Sequence, residues 1–125
     1  MYALCNCVLL TGYQRLTDTA VVIAEGRVVS LLPQAELPAD LPQQDMQGYI
    51  LCPGFIDLQL NGCGGVMFND TPDAATLAHM QRTNLRSGTT SFLPTLISDS
   101  DETIQQALTA TRHFMQQHPH QVLGM

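Results

Sequence analysis

Two regimes of apolar patterning meet near Pro53. Before it, short apolar and β-branched runs stand between turn residues. Ala3 to Leu10 reads as a strand, and Ala20 to Ala24 and Arg27 to Leu32 read as a hairpin about the two-residue turn Glu25-Gly26. Pro33 to Gln47 carries three prolines and several glutamines with little apolar periodicity, and reads as a surface connection. Gly48 to Cys52 is a further short strand, closed by Pro53-Gly54.

Beyond Pro53 strands and helices alternate. Phe55 to Leu60 is an apolar run interrupted by Asp57 and Gln59, and it runs into the glycine-rich stretch Asn61-Gly-Cys-Gly-Gly65. Thr71 as N-cap and Pro72 at the first helical position predict a helix to about Ser87, with Ala74, Leu77, Ala78 and Leu85 on its inner stripe and Gly88 as its stop. Thr89 to Leu96 is β-branched and aromatic, hence a strand. Ser98 or Ser100 caps a second helix to about His118. Its inner stripe is Ile104, Ala107, Leu108, Thr111, Phe114 and Met115, and Val122 to Met125 begins another strand. Strand–helix alternation predicts parallel strands joined by crossovers. A three-stranded parallel sheet with two helices leaves an edge and a face uncovered. The expectation is therefore a piece of a larger α/β protein.

Composition narrows the function classes. The chain is 45% apolar with a net charge of −6, and its five basic residues are all arginines spread along the sequence. That leaves no basic patch for nucleic acid or an anionic membrane surface. No apolar run approaches the ~20 residues of a membrane span, and the start lacks the basic segment of a secretory signal. The four cysteines show no C-x-x-C spacing and read as small buried hydrophobes in a reducing, cytoplasmic compartment.

The chemistry concentrates in Pro53-Gly-Phe-Ile-Asp-Leu-Gln-Leu-Asn-Gly62. Strict strand alternation puts Asp57, Gln59 and Asn61 on one face and Ile56, Leu58 and Leu60 on the other. Polar side chains buried unpaired cost about 1–3 kcal/mol each, so this row must meet partners or line a pocket. The segment resembles the first barrel strand of the amidohydrolase superfamily, whose usual form is P-G-F-I-D-x-H-x-H-G with both histidines as metal ligands. Gln59 and Asn61 stand at those two positions here. That substitution, the Asn61-Gly-Cys-Gly-Gly65 continuation, Val66-x-Phe68-Asn69-Asp70 and Leu93-Pro-Thr-Leu-Ile97 resemble the N-acetylglucosamine-6-phosphate deacetylases of enteric bacteria and their relatives. The likeness extends over nearly the whole chain.

The resemblance implies an α/β fold: residues 53–125 as the first βαβαβ portion of a metal-dependent-hydrolase (β/α)8 TIM barrel, and residues 1–52 as the N-terminal portion of a small β-sandwich domain. It implies release of acetate from a small amino-sugar phosphate by a homo-oligomeric enzyme with one divalent metal, zinc. Neutral amides are far weaker zinc ligands than imidazoles, so a second metal position is expected to be lost. The remaining metal is expected to activate a water. The family's ligands and catalytic aspartate correspond to positions beyond Met125. No residue here is assigned as catalytic or as a metal ligand, and the 125 residues alone are expected to be inactive. Gln59 and Asn61 are the substrate-binding candidates.

Other polar residues read more plainly. Asp57 is expected to orient its neighbours. Gly62, Gly64 and Gly65 lack the lysine and helix start of a P-loop and read as a tight loop allowing close backbone approach. His118 and His120 end a helix, where cations are favoured, rather than bind metal. His79 and His113 read as boundary or solvent-facing, and Arg82 with Arg86 as a solvated face. Two other functions stay open: a non-catalytic sugar-binding or assembly module, and an amidohydrolase branch acting on cyclic amides.

Overall fold

The computed structural model describes residues Met1–Met125, which divide into two compact units, Met1–Pro53 and Gly54–Met125.

The first unit is built from β1 (Tyr2–Cys5), β2 (Val8–Leu10), β3 (Arg15–Leu16), β4 (Thr19–Ala24), β5 (Arg27–Pro33), β6 (Gln43–Asp45) and β7 (Ile50–Leu51). They form a four-stranded sheet ordered β5-β4-β1-β6 and a three-stranded sheet ordered β3-β2-β7. The stretch from Ala3 to Leu10 is thus two strands in two sheets, not one. Asn6, in the left-handed region at φ 53°, breaks it. Its side chain donates to Asp45 Oδ1 at 2.7 Å, and this partner lies too far along the chain for a local pattern to reveal.

The Glu25-Gly26 hairpin forms as its residues predict, both turn residues having positive φ. Residues 33–47 are more than a surface connection. They contain a 3-10 turn at Gln34–Glu36 and the strand β6, which pairs in parallel with β1. Leu37 and Leu41 close over Ala3, Ala20 and Val22. The opposite face of the large sheet, through Leu4, Val21 and Ile23, borders an apolar cavity of about 410 Å³ shared with Leu9, Leu10 and Leu51 of the smaller sheet.

The second unit contains β8 (Phe55–Leu60), the short hairpin β9 (Gly62–Cys63) and β10 (Val66–Met67), α1 (Ala74–Leu85), β11 (Thr89–Pro94) and α2 (Asp101–Gln117). Strands β8 and β11 are parallel neighbours, as the crossover through a helix requires. Val122 makes a single parallel bridge to Phe92 in place of a full strand. The core is Phe68, Leu77, Met80, Phe92, Ala107, Phe114 and Val122.

Both helix caps are sharply defined. Ser100 caps α2, its Oγ accepting from Thr103 N–H at 3.2 Å. For α1 the cap is Asp73 rather than Thr71, its Oδ1 accepting from Thr76 N–H at 2.7 Å. A carboxylate there also complements the positive helix end. The inner face of α1 departs from the predicted stripe: Thr76, Leu77, Met80, Gln81 and Asn84 are buried, while Leu85 is exposed. Gln81 donates its Nε2 to Thr90 O at 2.9 Å on the neighbouring strand, while its Oε1 is buried without a partner.

Candidate functional site

The site candidates lie where the chain leaves the C-terminal ends of two parallel strands, which is where α/β barrels assemble their chemistry. Strand β8 delivers Gln59 and Asn61, but not by simple alternation. In register, Asp57 faces Phe92 and Leu60 faces Pro94, so three residues of β8 span what two residues of β11 span. This is a β-bulge. Its extra residue is stabilised by Asp57 Oδ1, which accepts from Gln59 N–H at 2.9 Å in the Asx manner.

The bulge corrects the predicted polar row. Asp57 and Leu60 are half-buried, whereas Leu58 and Gln59 are exposed. Leu60 packs against the core of the second unit. Asp57 lies near Cys63, whose thiol is pushed up first by burial and then by the Asp57 charge. Asp57 thus belongs to the covered side and orients the strand, while Gln59 stands free on the other side.

Asn61 has a defined partner. Its Nδ2 donates to Thr95 O at 3.3 Å, beside the backbone bonds Thr95 N–H to Leu60 O at 2.9 Å and Phe68 N–H to Asn61 O at 2.8 Å. The two Thr95 contacts join the exit of β8 to the exit of β11, and the Phe68 bond ties the β8 exit to the residue after β10. The glycines serve the hairpin that follows. A Cβ on Gly62 would lie 2.2 Å from Val66 O, so only glycine allows β9 and β10 to close. Gly64 and Gly65 turn the chain with φ of 67° and 83°, and His79 Nε2 meets Gly64 O at 2.9 Å. The close approach is therefore to the protein's own backbone.

Nothing in the local sequence around Asn69 marks it for a role. Its Nδ2 donates to Ile97 O and to Asp99 Oδ2, each at 3.0 Å, and its Oδ1 accepts from Ile97 N–H at 2.9 Å. The partners are 28 and 30 residues away, so no spacing rule reveals the link. The Asp99 carboxyl is held below the usual carboxylate range, chiefly by the Asn69 bond, then by Ser100 N–H and Thr103.

The histidines stay apart. His118 caps α2, its ring 4.5 Å from that of Phe114, and His113 Nε2 meets Gln117 at 3.2 Å. No group of three or more His, Cys, Asp or Glu is arranged to hold a metal ion. Asn61 donates its Nδ2 to Thr95 O, and the carboxamide oxygen it keeps is a weak ligand for zinc beside an imidazole. These residues alone do not fit a metal centre. All four cysteines are free; Cys5 and Cys7 are buried, whereas Cys52 is exposed. No helix is long and apolar enough to cross a membrane.

Parallel strands β8 and β11 joined through α1 are the unit from which α/β barrels are built. Residues 50–124 match the amidohydrolase family and residues 1–51 match the NagA composite domain. The chain belongs to the amidohydrolase family. It is 52% identical over 99% of its length to N-acetylglucosamine-6-phosphate deacetylase of Haemophilus influenzae, covering 32% of that protein. It is 40% identical over 73% of its length to N-acetylgalactosamine-6-phosphate deacetylase of a Shewanella species, covering 24% of it. The crystal structure of N-acetylglucosamine-6-phosphate deacetylase from Pasteurella multocida superposes with a TM-score of 0.95 at 45% identity, over 99% of this chain and 33% of that one. The fold is thus the start of an amidohydrolase TIM barrel with a small β-rich N-terminal unit. The chain spans about a third, or less, of the length of the curated relatives it matches.

Proposed function

We propose that these residues form the N-terminal part of an enzyme that deacetylates N-acetylglucosamine-6-phosphate, giving glucosamine-6-phosphate and acetate in amino-sugar catabolism. The observation that carries this reading is the carboxamide pair Gln59 and Asn61 at the C-terminal end of β8, followed by the glycine hairpin that only Gly62 allows to close. The likeness to deacetylases of Haemophilus influenzae and Pasteurella multocida supports it.

In this reading residues 1–52 contribute to a small β-sandwich and residues 53–125 begin the barrel. Gln59, exposed, binds substrate through its amide. Asn61 faces the same mouth and spends its Nδ2 on holding the β11 exit. One divalent metal, zinc, is bound by residues beyond Met125. The whole enzyme is a cytoplasmic homo-oligomer acting on a small sugar phosphate.

The test is acetate release by the product of the uninterrupted reading frame. Turnover of N-acetylglucosamine-6-phosphate is expected, with about one metal per chain. Preference for the galactosamine epimer would move the assignment to the specificity named for the Shewanella relative. Hydrolysis of a cyclic amide without deacetylation would overturn it.

A further inference from the structure

Asn69 is the one side chain whose carboxamide makes three bonds to a single distant segment. Its oxygen accepts from Ile97 N–H, and its nitrogen donates both to Ile97 O and to Asp99 Oδ2. An amide side chain engaging N–H and C=O of one residue copies the paired bonds of neighbouring strands. It does so where no strand pairing exists, since β10 ends at Met67 and β11 at Pro94. Phe68, the preceding residue, is fully buried and fixes the amide's origin. Asn61 ties the near end of the same segment at Thr95. The segment Thr95–Asp99 is therefore held at both ends by asparagines of the connection that follows β8.

We propose that Asn69 is a positioning residue, a latch that sets the spacing of the two loops leaving β8 and β11 and thereby the seat for the sugar phosphate. This rests on the deacetylase reading above. The low Asp99 carboxyl agrees with it, since the Asn69 bond is the largest cause of that shift. Asn69 touches no reacting atom in this account. It acts through where Gln59 and the Thr95–Asp99 loop stand.

The test uses the product of the uninterrupted reading frame. Asn69→Asp keeps the acceptor for Ile97 N–H but sets an oxygen against Ile97 O and the Asp99 carboxylate. The expected result is a fall in kcat/KM of about tenfold, carried by KM, because misplaced binding groups weaken productive binding. The double variant Asn69→Asp with Asp99→Asn restores a donor–acceptor pair between positions 69 and 99 but leaves an oxygen against Ile97 O, so partial recovery, to within about threefold, is expected for such a coupled pair. Unchanged kcat/KM in Asn69→Asp, or no recovery in a double variant that melts normally, overturns the proposal. Should Asn69→Asp fail to fold, Asp99→Ala, at an exposed position, carries the same kinetic test. Amide exchange separates the two readings. Asn69→Ala should speed exchange of the Ile97 amide by about tenfold, whatever the substrate. An unaltered protein inactive on the sugar phosphate sinks the deacetylase reading; the latch is then judged on exchange alone, and unchanged Ile97 exchange overturns it.

Discussion

Gly62→Ala is the sharpest perturbation of the loop that leaves β8. The added Cβ would sit 2.2 Å from Val66 O and 2.8 Å from Met67 Cα, both backbone atoms that cannot rotate aside. Ordinary contact needs roughly 3.4–4 Å, so the hairpin must open by more than about 1 Å on a strand spacing of ~4.8 Å. That breaks the Met67–Gly62 and Val66–Cys63 pairing, at about 1 kcal/mol per lost bond, and leaves partly buried amides unpaired at about 1–3 kcal/mol. Phe68, next in sequence and fully buried, resists any compensating shift. The expected loss is about 2–4 kcal/mol, near the upper range for overpacking. Urea unfolding of the product of the uninterrupted reading frame, with the acetate release proposed above as the functional readout, measures it. Gly65→Asn is the comparison: a Cβ there meets nothing within 4 Å, so its cost is only the backbone strain at φ 83°, about 1 kcal/mol for a residue that visits this region. If Gly62→Ala is as stable as Gly65→Asn and equally active, the close approach is not what the glycine provides.

Other outcomes follow from single contacts. Asp73→Ala should cost about 1 kcal/mol of stability, against less than about 0.5 for Thr71→Ala, because only Asp73 caps α1; chemical denaturation of the two variants checks this. Phe92→Ala, at a fully buried core position, should cost about 3–5 kcal/mol in the same assay. The Asp99 carboxyl titrates below the usual carboxylate range, chiefly through Asn69. Its contribution to stability is therefore complete above the unfolded-state value and is lost as pH falls through the lower folded value. Asn69→Ala should move the carboxyl resonance titration upward, as NMR will show. Cys5 and Cys7, buried and with thiols raised by that burial, should react with a thiol reagent only on unfolding, which timed thiol titration reads directly.

What the amino-acid sequence determined by itself was wherever one short segment carries its own instructions. Glu25-Gly26 sets a hairpin because both residues accept positive φ, and Ser100 with the apolar stripe through Ala107, Thr111 and Phe114 sets α2. The Pro53-Gly-Phe-Ile-Asp57 start pointed to the amidohydrolase family for the same reason, since its information lies in contiguous residues. Tertiary structure decided what depends on a distant backbone. The register shift after Asp57 puts Asp57 with Leu60 on the covered side and leaves Leu58 exposed beside Gln59, because β11 offers two residues where β8 offers three. Gln81 and Asn84 go inward on α1, Gln81 because Thr90 O awaits its amide. Asn69 becomes a latch only when Ile97 and Asp99 arrive beside it. Local preference chooses the conformation of a segment, but a hydrogen bond needs its second partner, and the fold alone delivers that.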